Sequence, residues 1–114
     1  MKKTVKKLGI WMDHSMAHLM EFSNAPFEIE TIESELTEPV VEQRRLIHYY
    51  NRLAESVKNY QQVVLFGPSD AKMEFFDVLS EDERFVKIKI EIFDTDKMTR
   101  NQQHHFIKEY FLKG

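Results

Sequence analysis

Carboxylates outnumber every other reactive side chain in this 114-residue sequence, 19 Asp and Glu against 16 Lys and Arg. Asp13, Glu42, Glu55 and Asp70 are the set whose placement suggests chemistry. Acids on a first strand, a first helix and a later strand end could hold two Mg²⁺ ions, which stabilise the attacking and leaving oxygens of phosphodiester cleavage. Asp94 and Asp96 follow a further strand pattern. So many acids make coincidence easy, and Asp70 also suits a helix N-terminus. A Mg²⁺-dependent nuclease is therefore the alternative reading, and no cofactor is expected otherwise.

A second chemistry is anion binding. In Val63-Val64-Leu65-Phe66-Gly67-Pro68-Ser69-Asp70-Ala71-Lys72 a β-branched run ends at Gly-Pro and passes straight into a helical pattern. Such a turn can present free N–H groups at the positive end of a helix dipole. Gly67, Ser69 and Lys72 are its candidate anion contacts. Arg44, Arg45 and Arg52 on a long helix, with Lys97 and Arg100 before the last one, are candidate RNA contacts, to be weighed against ordinary solubilising charge. The turn, Lys97 and Arg100 should share the carboxyl edge of the central strands, where ligands favour open α/β sheets.

Other chemistries fail on residue type. There is no cysteine, so disulfides, thiolate metal sites and a Cys nucleophile are excluded. His14 and His18 flank a turn and are expected to face each other, whereas adjacent His104 and His105 point about 100° apart on a helix. No metal site is expected from them. No nucleophile elbow, phosphate loop or dinucleotide fingerprint is present.

The elements that position these residues follow from periodicity. Leu8–His14 and Ala17–Phe22 read as a strand pair, and Phe27, Ile29 and Thr31 as a third strand with one largely polar face. Pro39 suits a first helical turn near Thr37 or Glu38, and the apolar positions from Leu46 to Val57 recur at helical spacing as far as about Tyr60. A buried strand over 62–66 follows, then a helix capped by Ser69. Val86, Ile88, Ile90 and Ile92 alternate with Lys87, Lys89 and Glu91 as a fifth strand, and Thr99-Arg100-Asn101-Gln102 has capping-box spacing for a last helix. The order β-β-β-α-β-α-β-α predicts an α/β fold, a mixed five-stranded sheet with flanking helices in the ribonuclease H-like architecture.

Composition bounds the rest. Hydrophobic residues are 42% of the chain and charged residues 31%, with three Gly and three Pro, as in ordinary globular proteins. Residues 1–114 read as one domain, 1–7 being a basic N-terminal tail whose order the sequence leaves open. From Glu21 to Glu42 there are seven glutamates and no Lys or Arg, read as a polar sheet face. No apolar run reaches the roughly 20 residues of a membrane span. A cytoplasmic location without membrane contact is expected, and oligomeric state is left open.

Two stretches resemble a known family. The strand and turn running into Gly67-Pro68-Ser69-Asp70-Ala71-Lys72-Met73-Glu74-Phe75-Phe76, and the Gly9-Ile10-Trp11-Met12-Asp13 strand with its hairpin, are similar to the middle domain of archaeal and eukaryotic peptide-chain release factors and Pelota. They also resemble bacterial proteins that carry such a domain alone. The resemblance implies a translation-associated module that meets the ribosome, tRNA or a translation factor. In the family a Gly-Gly-Gln loop between the third strand and the long helix drives peptidyl-tRNA hydrolysis. Here that stretch is Glu35-Leu36-Thr37-Glu38-Pro39-Val40-Val41-Glu42-Gln43, acidic and without glycine. Hydrolysis by that route is not expected, leaving a non-catalytic ribosome- or RNA-binding module. A protein-protein interaction domain without nucleic acid is a further alternative.

Overall fold

The computed structural model describes residues 5–23, 25–34 and 42–113, excepting the side chains of Glu42, Gln43 and Lys113. The expected helix start at Thr37–Pro39, the 35–41 stretch and the first four residues of the basic tail lie outside the described residues. Strands β1 (Lys7–Met12), β2 (Met16–Phe22) and β3 (Pro26–Glu33) form an antiparallel meander. Helix α1 (Glu42–Val57), strand β4 (Gln62–Gly67), helix α2 (Ala71–Ser80), strand β5 (Lys89–Asp94) and helix α3 (Arg100–Lys113) follow. The sheet order is β3-β2-β1-β4-β5, with β4 parallel to both β1 and β5. This is the mixed five-stranded α/β sheet that the element order predicts.

Strand alternation divides the interior in two. Leu8, Ile10 and Met12 of β1, with Val63 and Leu65 of β4, face α1 and α2, where Tyr49, Leu53, Val57 and Phe75 complete a wholly buried layer. Each such side chain contributes roughly 1.5–3 kcal/mol by leaving water. Trp11, Val64 and Phe66 point to the other face and pack under Ile107 and Phe111 of α3. Because β4 is covered on both faces, its run is continuously apolar. Gly9 leaves the space that Ile107 fills, since a Cβ there would lie 2.5 Å from the Ile107 side chain.

Two strands differ from the sequence reading. In β3 the pairing slips between Leu19 and Met20, so Glu30 lies opposite Leu19 and Glu28 opposite Met20. The extra residue, Ile29, reverses the alternation. Glu30 therefore meets Ser56 of α1, whereas Glu28 pairs with Arg100 of α3, in place of one polar face. Strand β5 begins at Lys89, not Val86. A 3₁₀ turn over Glu83–Phe85 takes up the preceding residues, burying Phe85 and leaving Val86 exposed.

Helix α3 starts as its capping box demands. The Thr99 Oγ1 accepts the Gln102 N–H at 3.2 Å, and the Gln102 Oε1 accepts the Thr99 N–H at 2.9 Å. At α2 the N-cap is Asp70, with no side-chain capping bond; Ser69 Oγ instead accepts the Ala71 N–H at 3.3 Å.

Candidate functional site

At the carboxyl edge of the strands, the bend where the sequence places an anion site packs tightly against its neighbours. Gly67 has φ +150°, and a Cβ on it would sit 2.1 Å from the Met12 carbonyl oxygen, so the bend is pressed against the end of β1. Lys72 is 1% exposed and turned inward. Its Nζ donates to the Ser69 carbonyl at 2.5 Å and meets Asp94 Oδ1 at 2.6 Å. The ammonium expected to face a ligand instead locks the start of α2 to the end of β5. The Thr95 N–H donates to the Gly67 carbonyl at 3.1 Å and closes the same corner.

Neighbouring polar groups are also spent on architecture. The Asp13 Oδ1 accepts the N–H groups of Ser15 at 2.7 Å and Met16 at 2.9 Å, which shapes the β1–β2 turn. Buried Tyr49 donates to the Asp13 carbonyl at 2.9 Å, and burial, with the Asp13 charge, pushes its phenol far above the usual range. Tyr50 donates to Glu74 Oε1 at 2.6 Å, and His14 Nε2 lies 3.2 Å from both Glu74 oxygens. The Tyr50 hydrogen bond, aided by His14, holds the Glu74 carboxyl below its ordinary value against the opposing effect of partial burial. Three elements meet at Glu74, a junction the sequence did not reveal.

The histidines do not face each other. His14 turns toward α2, whereas His18 lies opposite Trp11 on the α3 face and stacks on its ring with centroids 5.3 Å apart. Arg100 has only donors, so the His18 Nε2, 3.4 Å from its guanidinium, is an acceptor. The Nδ1–H then donates to Gln103 Oε1 at 2.9 Å, and Gln103 Nε2 donates to the Met98 carbonyl at 3.1 Å. Residues 85 positions apart thus pin α3 to the meander.

Of the carboxylates in the nuclease alternative, Glu55 stands apart. Asp13 and Asp70 follow β1 and β4 at the carboxyl edge, but Glu55 lies near the other end of α1, with Lys58 at 2.9 Å and Arg84 at 3.5 Å. The Lys58 hydrogen bond, then its charge, holds Glu55 below the ordinary carboxylate value. Glu42 opens α1, and its side chain lies outside the described residues. Among the described residues no group of three or more His, Asp or Glu is arranged to hold a metal ion. The placement of Glu55 removes it from any set with Asp13 and Asp70.

The candidate RNA-contacting cations divide between the two faces. Arg44 and Arg52 are exposed on α1, with Arg45 half-buried and donating to Ser34 Oγ, and Arg52 3.5 Å from the Glu33 carbonyl. On the opposite face Arg100 pairs with Glu28, and Lys97 rims an open groove of 580 Å³ floored by Met98 and Phe106. The sheet separates the two groups.

Comparison with known folds bears on the architecture. Thermoplasma acidophilum Pelota superposes with a TM-score of 0.67 over 96% of this chain at 16% identity. Archaeal translation termination factor aRF1 matches 95% of the chain at 16% identity and a TM-score of 0.63. Dom34 of S. cerevisiae, a translation termination-like factor involved in RNA quality control pathways and interacting with Hbs1, matches 95% at 14% identity and 0.59. The fold is theirs. At such identity the likeness shows fold alone, and the chain spans between 32% and 34% of the length of these proteins. No family model and no curated protein matches the sequence.

Proposed function

We propose that this chain is a non-catalytic, translation-associated module that binds the ribosome or its RNA, akin to the bacterial proteins that carry this domain alone. The observation that carries the reading is the fold shared with Pelota, aRF1 and Dom34 over nearly the whole chain. The sequence argues against peptidyl-tRNA hydrolysis by the Gly-Gly-Gln route. Its three glycines stand at 9, 67 and 114, so a Gly-Gly-Gln tripeptide cannot be formed anywhere in it. The module works in the cytoplasm, needs no cofactor, and meets the ribosome, a tRNA or a translation factor.

The test is co-sedimentation with purified ribosomes across a salt series. The protein is expected in the ribosomal pellet at moderate salt and to be released as salt rises, because phosphate contacts displace counterions. Failure to pellet at any salt overturns the reading. Acceleration of peptidyl-tRNA hydrolysis would overturn the non-catalytic assignment.

A further inference from the structure

At the opposite, amino-terminal edge of the sheet, the first residues of β1, β4 and β5 stand in one row. Lys7 is paired with Gln62, and Gln62 with Lys89. In parallel strands laterally paired residues point to the same face. Here that face is the one covered by α3, because the Lys7 Nζ lies 5.8 Å from the ring centroids of both Phe22 and Phe111. The three side chains border a cleft of 160 Å³ whose other walls are Glu91, Tyr110 and Phe111. One row further along, Glu91 Oε1 accepts the Tyr110 hydroxyl at 2.5 Å.

We infer that this cleft binds a phosphodiester group of RNA, with Lys7 and Lys89 as its cations and the Gln62 amide as a neutral donor between them. The inference rests on the proposed ribosome- or RNA-binding role and moves the contact from the carboxyl edge to the amino edge.

Pairing, size and charge all favour such a ligand. Among the described residues neither lysine has a carboxylate partner, in contrast to Lys72, Lys58, Arg84 and Arg100. Lys7 is held by aromatic faces, which orient its ammonium without neutralising it. The size is selective, since 160 Å³ is the share of about five water molecules, enough for one phosphate group and too little for a nucleoside. Charge makes the last selection. Two lysines beside one glutamate leave a single net positive charge, which matches a singly charged phosphodiester better than a dianionic phosphate monoester. A chain of phosphodiesters can place one linkage in the cleft while its bases remain outside.

Fluorescence anisotropy with a labelled single-stranded RNA, over a salt series, tests this. The double variant Lys7→Ala/Lys89→Ala is expected to bind roughly tenfold more weakly at low salt. Its slope of log affinity against log salt should flatten by about 1.4, at 0.7 per lost single-strand contact. The pair Arg44→Ala/Arg52→Ala, on the other face, should move binding less. Gln62→Leu, which keeps both charges, should weaken binding with the salt slope unchanged. Equal affinity of the double variant and the wild type overturns the inference, as does displacement of the RNA by inorganic phosphate at equal phosphate concentration. Ribosome pelleting unaffected by the lysine pair sinks this inference alone. RNA binding that depends on the pair without ribosome pelleting sinks only the ribosomal role.

Discussion

The two edges of the sheet use their polar residues in opposite ways. At the carboxyl edge Lys72, Asp13 and Glu74 are engaged within the fold. Lys72 joins α2 to β5, Asp13 shapes a turn, and Glu74 ties the first hairpin and α1 to α2. At the amino edge Lys7 and Lys89 flank a cleft, and among the described residues neither is ion-paired. The cost of removing a charge from water explains the contrast. A buried ammonium persists only when it is bonded within the fold, and one so bonded has little left to offer a ligand. Residue type and sequence position therefore say less about binding than whether hydrogen-bonding capacity is already used.

The contrast is broken most severely at Gly67. Gly67→Ala would place a methyl group against the Met12 carbonyl, in a backbone conformation that side chains rarely adopt. A loss of about 3 kcal/mol or more is expected, read as a thermal midpoint lower by about 10 °C or more. A midpoint within a degree of wild type would mean that the bend is open after all. Lys72 comes next. Lys72→Ala should cost about 2 kcal/mol through the space left by its stem and the two lost polar contacts. Lys72→Met, which refills that space, should recover most of the loss, because the Asp94 side chain is 92% exposed and returns to water. Denaturant midpoints of the two variants separate packing from charge.

How much of this was legible in the sequence depends on the range of the interaction. The apolar runs of β1 and β4, the apolar stripe of α1 and the Thr99–Gln102 box are local signals, and the structure follows them. Strand β5 starts three residues later than its alternation predicts. Val86 and Ile88 keep the alternation while the chain is still turning, and only pairing with Gln62 fixes the start at Lys89. The inward turn of Lys72 was hidden for a related reason, since its partner Asp94 is supplied by a different strand. The lysine row joins residues 7, 62 and 89, neighbours only because two crossovers lay β1, β4 and β5 in parallel. Its one sequence signal is a polar residue opening each apolar strand.

Acid should expose the same contrast more gently. The Glu74 carboxyl is held below its ordinary value of 4.5, first by Tyr50 and then by His14. A depressed carboxyl contributes stability that is present above its unfolded value and is lost as pH falls through the lower, folded one. Wild-type stability should therefore decline below about pH 4.5. Tyr50→Phe should be less stable at neutral pH and show a shallower acid decline, because its Glu74 differs less between the folded and unfolded chains. Urea midpoints collected from pH 7 down to about pH 3 check the sign. A steeper decline in the variant would remove Glu74 from its place as the junction of the carboxyl edge.

The smallest effect belongs at the amino edge and sharpens the comparison most. Lys89 is exposed at the end of an edge strand, so Lys89→Ala should change stability by no more than about 0.5 kcal/mol. Lys7→Ala should cost somewhat more, about 0.5–1 kcal/mol, through its lost contacts with the Phe22 and Phe111 rings. The ratio of two effects separates fold from recognition. A lysine retained for the fold shows its loss in the denaturation midpoint, whereas one retained for a partner shows it in binding. If Lys89→Ala lowers the midpoint as far as Lys72→Ala does, the two edges do not differ in kind. If the midpoint holds while affinity for RNA falls, the division between them is that between architecture and recognition.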